Sequence, residues 1–279
     1  MARRVRLDAE LVRRGLARSR QHAAELVSSS RVLLDGNVAT KPATQLDPAQ
    51  AVRLLPATNG EEVEYASRGG HKLAGALDSL GGDAPRVEGR RVLDAGASTG
   101  GFTDVLLRRG AAHVVAVDVG YGQLAWHLRT DERVTVRDRT NVRSLTPEDV
   151  APAPELVVGD LSFISLTLVL PALVGAVAPD SDFFLMVKPQ FEVGRERLGV
   201  GGVVRDTALH ADAVRTVVVA ARELGLALRA VVASPLPGPS GNVEYFVHLR
   251  AADGGHPDPE EIESMIARAI ETGPAGSTP

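Results

Sequence analysis

The stretch Arg91-Val-Leu-Asp-Ala-Gly-Ala-Ser-Thr-Gly-Gly-Phe-Thr103 constrains this chain more than any other. The apolar pair Val92-Leu93 reads as the end of a buried strand that runs into Asp94. A glycine-rich turn (Gly96, Gly100, Gly101) follows, then a helical pattern from Phe102 to Arg109. Strand, glycine turn and helix is the geometry in which backbone N–H groups at a helix start face a ligand over the edge of a sheet. The dinucleotide fingerprint G-x-G-x-x-G is not met, because Ala97 and Ser98 follow Gly96. What stands there is D-x-G-x-x-x-G-G, with a second acid, Asp118, closing the next apolar run, His113-Val-Val-Ala-Val-Asp118.

From residue 90 onward the periodicity alternates. It predicts strands over 91–94, 113–118, 134–137, 155–160, 183–188, 227–233 and 243–249, and helices over 101–109, 122–129, 165–177 and 207–224. That is an α/β fold, Rossmann-like, with a doubly wound and mainly parallel sheet. Trp126 is expected in its core. The longest apolar stretch, Leu161 to Ala178, is broken by Ser162, Ser165, Thr167, Pro171 and Gly175. It reads as a helix packed on the sheet, not a membrane span. The start of the chain has charge but no apolar run behind it, so no secretory signal is read and a cytoplasmic protein is expected. Near the end, Asp258-Pro-Glu-Glu261 is a helix start with Pro at the first helical position. Ile262, Ile266 and Ile270 give that helix one apolar stripe, and residues 272–279 are expected to fray.

Charge is unevenly placed. Residues 1–57 hold ten basic and five acidic side chains, a net of +5, so the whole chain's −4 leaves −9 for the remainder. A basic module on an acidic body suits a polyanion held mainly by one end. Leu7, Leu11, Val12 and Leu16 form a helical stripe with arginines opposite, and Ser19 is placed to cap a second helix, Arg20 to Val27. Val32-Leu-Leu34, the Asp35-Gly36 turn and Val38 read as a hairpin. Residues 57–66 break the periodicity as a linker would. The expected organisation is an RNA-binding domain over 1–57, a linker over 58–66, a catalytic domain over 67–271 and a flexible tail over 272–279. Cysteine is absent, which excludes disulfides, cysteine-ligated metals and any thiolate nucleophile.

The Asp94 turn taken with Asp118 looks like the cofactor site of a class I S-adenosylmethionine-dependent methyltransferase. The resemblance implies S-adenosyl-L-methionine as cofactor. Gly96 and Gly100 would let the backbone approach its methionine end, and Asp118 would accept hydrogen bonds from its ribose. Asp138 would reach the adenine amino group, with Asn141 a weaker candidate. Asp94, Ser98, Thr99, Gly101, Phe102 and Asp160 would complete the site. The segment Arg6-Leu-Asp to Val32-Leu-Leu-Asp-Gly36 resembles an S4-type RNA-binding domain. It implies RNA contacts from Arg3, Arg4, Arg6, Arg14, Arg18, Arg20 and Lys41, with Arg68 beyond the linker. One departure is Ser30, where that domain usually has glycine; a serine in a left-handed turn costs about 1 kcal/mol.

The acceptor is indicated by the strand ends. Base amino-group methyltransferases carry Asn- or Asp-Pro-Pro-Tyr after the fourth strand, where this chain has Gly159-Asp-Leu-Ser-Phe-Ile164. Lys72, Asp160, Lys188 and Glu244 resemble the K-D-K-E tetrad of RNA ribose 2′-O-methyltransferases of the FtsJ/RrmJ type. A ribose hydroxyl is a poor nucleophile until it loses its proton. A lysine beside a second cation in a partly dry pocket could take it, and Lys188 is assigned that task. Asp160 would orient it, while Lys72 and Glu244 position the ribose.

Together with Ser67-Arg-Gly-Gly-His-Lys-Leu73, Asp118-Val-Gly-Tyr-Gly-Gln-Leu-Ala-Trp126, Val187-Lys-Pro-Gln-Phe-Glu192 and Pro239-Ser-Gly-Asn-Val-Glu-Tyr245, these motifs closely resemble the TlyA family over roughly residues 3–250. The resemblance implies a cytidine 2′-O-methyltransferase acting on 16S and 23S rRNA inside 30S and 50S subunits. It also implies an influence on susceptibility to capreomycin-type antibiotics. A monomer without membrane attachment is expected. Three rivals stand beside it: a membrane-lytic protein, since the family is often labelled haemolysin; an inert RNA-binding assembly factor; and an enzyme acting on transfer RNA.

Overall fold

The computed structural model describes residues 4–17, 19–28, 31–47, 50–55, 64–238, 240–252 and 255–275. Arg3, Arg18, Ser30, Pro239, the linker residues 57–63 and the tail residues 276–279 lie outside the described residues. The chain divides into two compact units, Met1–Glu64 and Tyr65–Pro279.

The N-terminal unit comprises β1 (Val5–Arg6), α1 (Leu7–Arg13), α2 (Arg20–Ser28), β2 (Val32–Leu34), β3 (Asn37–Val38), β4 (Gln45–Leu46) and β5 (Val52–Leu54). Ser19 Oγ accepts the His22 N–H at 3.1 Å, so it caps α2 as its type and place require. Strands β2 and β3 are joined by the two-residue turn Asp35-Gly36, both with positive φ (50° and 85°). Turns of that hand match strand twist, which is why Asp-Gly serves there. Leu7, Leu11, Leu26, Val27, Val32 and Leu46 close a small core.

The larger unit runs α3 (Arg68–Leu80), β6 (Arg91–Ala95), α4 (Gly101–Arg108), β7 (His113–Val117), α5 (Trp126–Arg129), β8 (Val134–Arg137), α6 (Pro147–Val150), β9 (Leu156–Gly159), α7 (Leu170–Ala176), β10 (Asp182–Val187), α8 (Pro189–Glu192), α9 (Thr207–Glu223), β11 (Leu226–Ala233), β12 (Tyr245–Ala251) and α10 (Pro259–Thr272). Its seven strands lie in the order β11-β12-β10-β9-β6-β7-β8. β8, β7, β6, β9 and β10 are parallel, and β12 enters antiparallel between β10 and β11. A helix returns the chain between parallel neighbours, whereas β11 and β12 have none between them and pair antiparallel.

Both sheet faces are covered, and side chains alternate between them. Leu93, Ala95, Leu185 and Val247 join a core with α7, α9 and α10. Val92, Phe184, Met186 and Phe246 join one with α3 and α4. Order reverses beside β6, whose neighbours are β7 and β9. The carboxyl ends of β6 and β9 therefore frame the crevice where ligands bind in such folds.

Four expectations need correction. The helix expected over 122–129 begins only at Trp126, because the Gly120 and Gly122 N–H groups are bound by Asp118 and Asp138 in turns. Trp126 is 76% exposed, not core; Leu124 and Leu128 take the inward places beside it. The stretch 161–178 is a loop, a short 3-10 turn at Leu166–Leu168 and α7, and among the described residues no helix is long and apolar enough to cross a membrane. The chain does not fray at 272: Gly273 is buried and Ala275 packs on the core. A Cβ at Gly273 would lie 2.5 Å from Ala233 Cβ, so this contact with β11 needs glycine. The last helix otherwise forms as its sequence dictates, with Asp258 Oδ1 accepting the Glu261 N–H at 2.8 Å.

Candidate active site

The turn after β6 is shaped by close approach. Gly96 has φ +86°, and a Cβ there would sit 2.9 Å from the Asp160 carbonyl oxygen in the loop after β9. Any side chain would wedge the two loops apart. Ser98, at φ 48°, aims its N–H at Asp118 Oδ2 (2.8 Å), and Asp118 Oδ1 accepts the Gly120 N–H at 2.7 Å. These residues open onto a cavity of about 570 Å³, lined also by Asn141, Asp160, Leu161 and Phe163. That size suits a small-molecule ligand.

The other expected cofactor residues are placed differently. Thr99, Gly100, Gly101 and Phe102 do not line the cavity. Gly100 is needed because a Cβ would meet Leu128 and Leu124, and Gly101 because one would lie 2.8 Å from the Gly70 nitrogen of α3. Phe102 is core, 6.0 Å from the Phe246 ring. Asp138 accepts from Arg129 and from the Gly122 N–H, both at 3.1 Å on Oδ2, and is not among the residues lining the cavity. Asn141, the weaker candidate, is the one that lines the cavity.

Asp94 lies beneath this turn, wholly buried. Thr103 donates to its Oδ2 at 2.6 Å, while among the described residues Oδ1 has no partner. Burial pushes this carboxyl up to about 7, with Asp160 and Asp118 adding to the rise and the Thr103 bond opposing it.

Lys72, Asp160, Lys188 and Glu244 form two ion pairs. Lys188 Nζ is 2.6 Å from Asp160 Oδ1, and Lys72 Nζ is 2.6 Å from Glu244 Oε2. The sheet places them. Val187 of β10 pairs with Tyr245 of β12, so Lys188 and Glu244 stand one residue beyond the same antiparallel rung. Asp160 follows Gly159, the last paired residue of β9. α3 brings Lys72 in from the side: a Cβ on Gly69, one turn earlier, would lie 3.6 Å from Asp160 Oδ2. Asp160, the group expected to orient Lys188, is the carboxylate that stands beside its amine. Each lysine is thus held by an acid.

Two further groups escaped the sequence. Ser162 Oγ accepts from Lys188 Nζ at 2.9 Å. Glu192, its carboxyl raised by burial, accepts from Ser165 Oγ at 2.5 Å and the Leu166 N–H at 2.8 Å, tying the loop after β9 to α8. Spacing marks neither: serine and glutamate are common, and both contacts cross more than twenty residues of chain.

In the N-terminal unit the expected RNA contacts are mostly pre-paired. Arg6 and Arg20 donate to Asp8, and Arg13 and Arg14 to Glu10, although both acids are buried. Bonds from Arg6 chiefly hold Asp8, and bonds from Arg13 chiefly hold Glu10, at about 2. The acids fix the arginine forks at the surface of the unit. Arg4 and Lys41 are exposed there, as is Arg68 at the start of α3 in the larger unit.

Residues 65–251 match the model of the FtsJ-like methyltransferase family, and residues 5–52 that of the S4 domain. The chain is 57% identical to a Mycobacterium tuberculosis protein named 16S/23S rRNA (cytidine-2′-O)-methyltransferase TlyA, covering 98% of this chain and 100% of that one. It is 42% identical to YqxC of Bacillus subtilis, named as an rRNA methyltransferase, over 97% and 94% of the two chains. A solved structure from Streptococcus thermophilus, named as a hemolysin, is similar with a TM-score of 0.74 and 37% identity over 97% of each chain.

Proposed function

Since the chain belongs to the TlyA family, in which an S4 domain is joined to an FtsJ-like methyltransferase, we propose that it methylates the ribose 2′-OH of cytidine in 16S and 23S rRNA, with S-adenosyl-L-methionine as donor. The observation that carries this reading is the pair of lysine–carboxylate contacts at the carboxyl ends of β9 and β10, with Asp160 itself on the cavity wall.

The donor fits the residues present. It is cationic at its sulfonium and amino groups, and Asp118 and Asp160 line the cavity while Asp94 keeps an unpartnered oxygen beneath it. Asp118, Asn141 and the Gly96–Ser98 backbone would hold it, and it supplies an activated methyl group when bound. The chain's own residues do the rest. Lys188 meets the acceptor hydroxyl, and its neutral Nζ, oriented by Asp160, would take the proton as the methyl passes from the donor's sulfur to the ribose oxygen. Lys72 and Glu244, locked in a buried pair, position the ribose. The S4 unit grips RNA through Arg4, Lys41 and the arginines fixed by Asp8 and Glu10. Such contacts bind phosphate and shape, and leave the choice of nucleotide to the catalytic unit. The partners are 30S and 50S subunits, met by a monomer in the cytoplasm.

The test is methyl transfer from radiolabelled S-adenosylmethionine to unmethylated 30S and 50S subunits, with naked rRNA and tRNA alongside. Label recovered as 2′-O-methylcytidine from subunits, and lost in Lys188→Ala, is expected. Label on a base, or on tRNA alone, refutes the acceptor assignment. Cofactor binding without label supports an inert assembly factor.

A further inference from the structure

We propose that Ser162 is a positioning residue for Lys188: its hydroxyl and the Asp160 carboxylate form a two-point clamp that fixes the direction in which Nζ faces the acceptor. The proposal rests on the reading of Lys188 as the group that meets the 2′-OH.

A lysine carries its charge on a stem of four rotatable bonds and loses rotamer entropy when fixed. One ion pair leaves the stem free to swing about its partner. Lys188 has a second hold: Nζ is 2.6 Å from Asp160 Oδ1 and 2.9 Å from Ser162 Oγ. As the group that takes the hydroxyl proton, Lys188 acts as a neutral amine with one lone pair. With Nζ donating to Ser162 Oγ and held against the Asp160 carboxylate, that lone pair has a defined direction, which is what an in-line reaction asks of the group beside the nucleophile.

The serine is itself held. Asp160 and Ser162 lie on one loop and both line the cavity. At one end the Asp160 N–H donates to the Ala95 carbonyl at 3.2 Å. At the other, Glu192 holds Ser165 and Leu166. Between them Phe163 takes φ +64°, a conformation a bulky L-residue adopts only where its surroundings impose it. The loop therefore presents Ser162 to Lys188 at a set height, and Glu192, four residues after Lys188, couples that height to α8. The Phe191 ring, 6.0 Å from Nζ, bounds the lysine on a further side.

The test compares wild type, Ser162→Ala, Ser162→Thr, Lys188→Ala and the double variant Ser162→Ala/Lys188→Ala. Subunit methylation is followed over long single-turnover times, and S-adenosylmethionine binding by calorimetry. The expected result is a kcat about 10- to 100-fold lower in Ser162→Ala, on the scale of small misplacements of catalytic groups. KM for subunits and the cofactor Kd should stay within twofold, and Ser162→Thr, which restores the hydroxyl, should recover most of the rate. In the Lys188→Ala background the serine change should add nothing, because the group it positions is gone. Wild-type rates in Ser162→Ala, a loss carried by KM or cofactor Kd, a failure of threonine to rescue, or equal losses in both backgrounds would each overturn the proposal. A wild-type rate in Lys188→Ala would instead overturn the role given to Lys188.

Discussion

Replacing Asp94 by asparagine removes a titration from beneath the cofactor turn, and its effect on stability can be worked out in advance. Burial raises this carboxyl from an ordinary 3.8 to about 7. Between those values the folded protein keeps a proton that the unfolded chain has released. The unfolded state binds fewer protons there, so stability falls as pH rises through the window and levels off above about 7. At about 1.36 kcal/mol for each tenfold change in proton affinity, a rise from 3.8 to about 7 corresponds to about 4 kcal/mol. Asparagine stays neutral throughout, and its oxygen can still accept the Thr103 hydroxyl that bonds Asp94 at 2.6 Å. Wild type should therefore lose about 4 kcal/mol relative to Asp94→Asn between about pH 4 and pH 8, most of it between about pH 4.5 and 7. The assay is urea denaturation of both proteins, free of cofactor, in closely spaced buffers, scored as the difference between them so that shared titrations cancel. A difference that stays flat to within about 1 kcal/mol over this range would show Asp94 ionising like a solvated carboxylate. Its burial with one unpartnered oxygen would then be refuted.

Other perturbations follow from the same geometry. Lys72→Ala should destabilise the protein by about 3–5 kcal/mol in chemical denaturation, because it strands the buried Glu244 carboxylate 2.6 Å from its lost partner; a cost below about 1 kcal/mol would mean that Glu244 reaches solvent. Gly96→Ala should abolish measurable S-adenosylmethionine binding by calorimetry while the fold persists, since its Cβ would press on the Asp160 carbonyl from a left-handed backbone. Trp126→Ala should change stability by no more than about 0.5 kcal/mol, as for any exposed side chain; a loss of about 3 kcal/mol or more would return this residue to the core.

Why some of this was legible in the sequence and some was not follows from the range of the forces involved. Strands β6, β7, β9 and β10 are buried on both faces, so each reads as an apolar run, and short-range pattern suffices to find them. Ser19 and Asp258 act on N–H groups three residues away, and such caps are also visible locally. Trp126 and the helix start at 126 were misread because the deciding interactions are non-local. Asp138, sixteen residues on, takes the Gly122 N–H, and Leu128 rather than Trp126 fills the space that Gly100 leaves open. Asp138 bonds Gly122 and Arg129 while Asn141 lines the cavity, a difference that strand spacing alone does not distinguish.

The candidate catalytic residues show the same division at closer range. They can be singled out because each sits at the end of a strand or the start of a helix, where sequence position fixes placement. The expected roles put Asp160 with Lys188 and Lys72 with Glu244, but the geometry of those contacts depends on rungs between strands distant in sequence. The Val187–Tyr245 rung sets Lys188 beside Glu244 along the sheet edge, yet their side chains choose other partners: Lys188 goes to Asp160, and Glu244 goes to Lys72 on α3. A buried carboxylate left beside an empty space is costly, so α3 must dock for the sheet edge to be stable. It can dock that closely because a Cβ at Gly101 would strike the Gly70 nitrogen and one at Gly70 would come within 3.0 Å of the Gly101 carbonyl. Gly101, which a motif reading assigns to the cofactor, thus lets α3 approach α4 together with Gly70. Through that approach the two bring Lys72 to its acid, and a larger residue at Gly101 should weaken the Lys72–Glu244 contact before it touches any ligand.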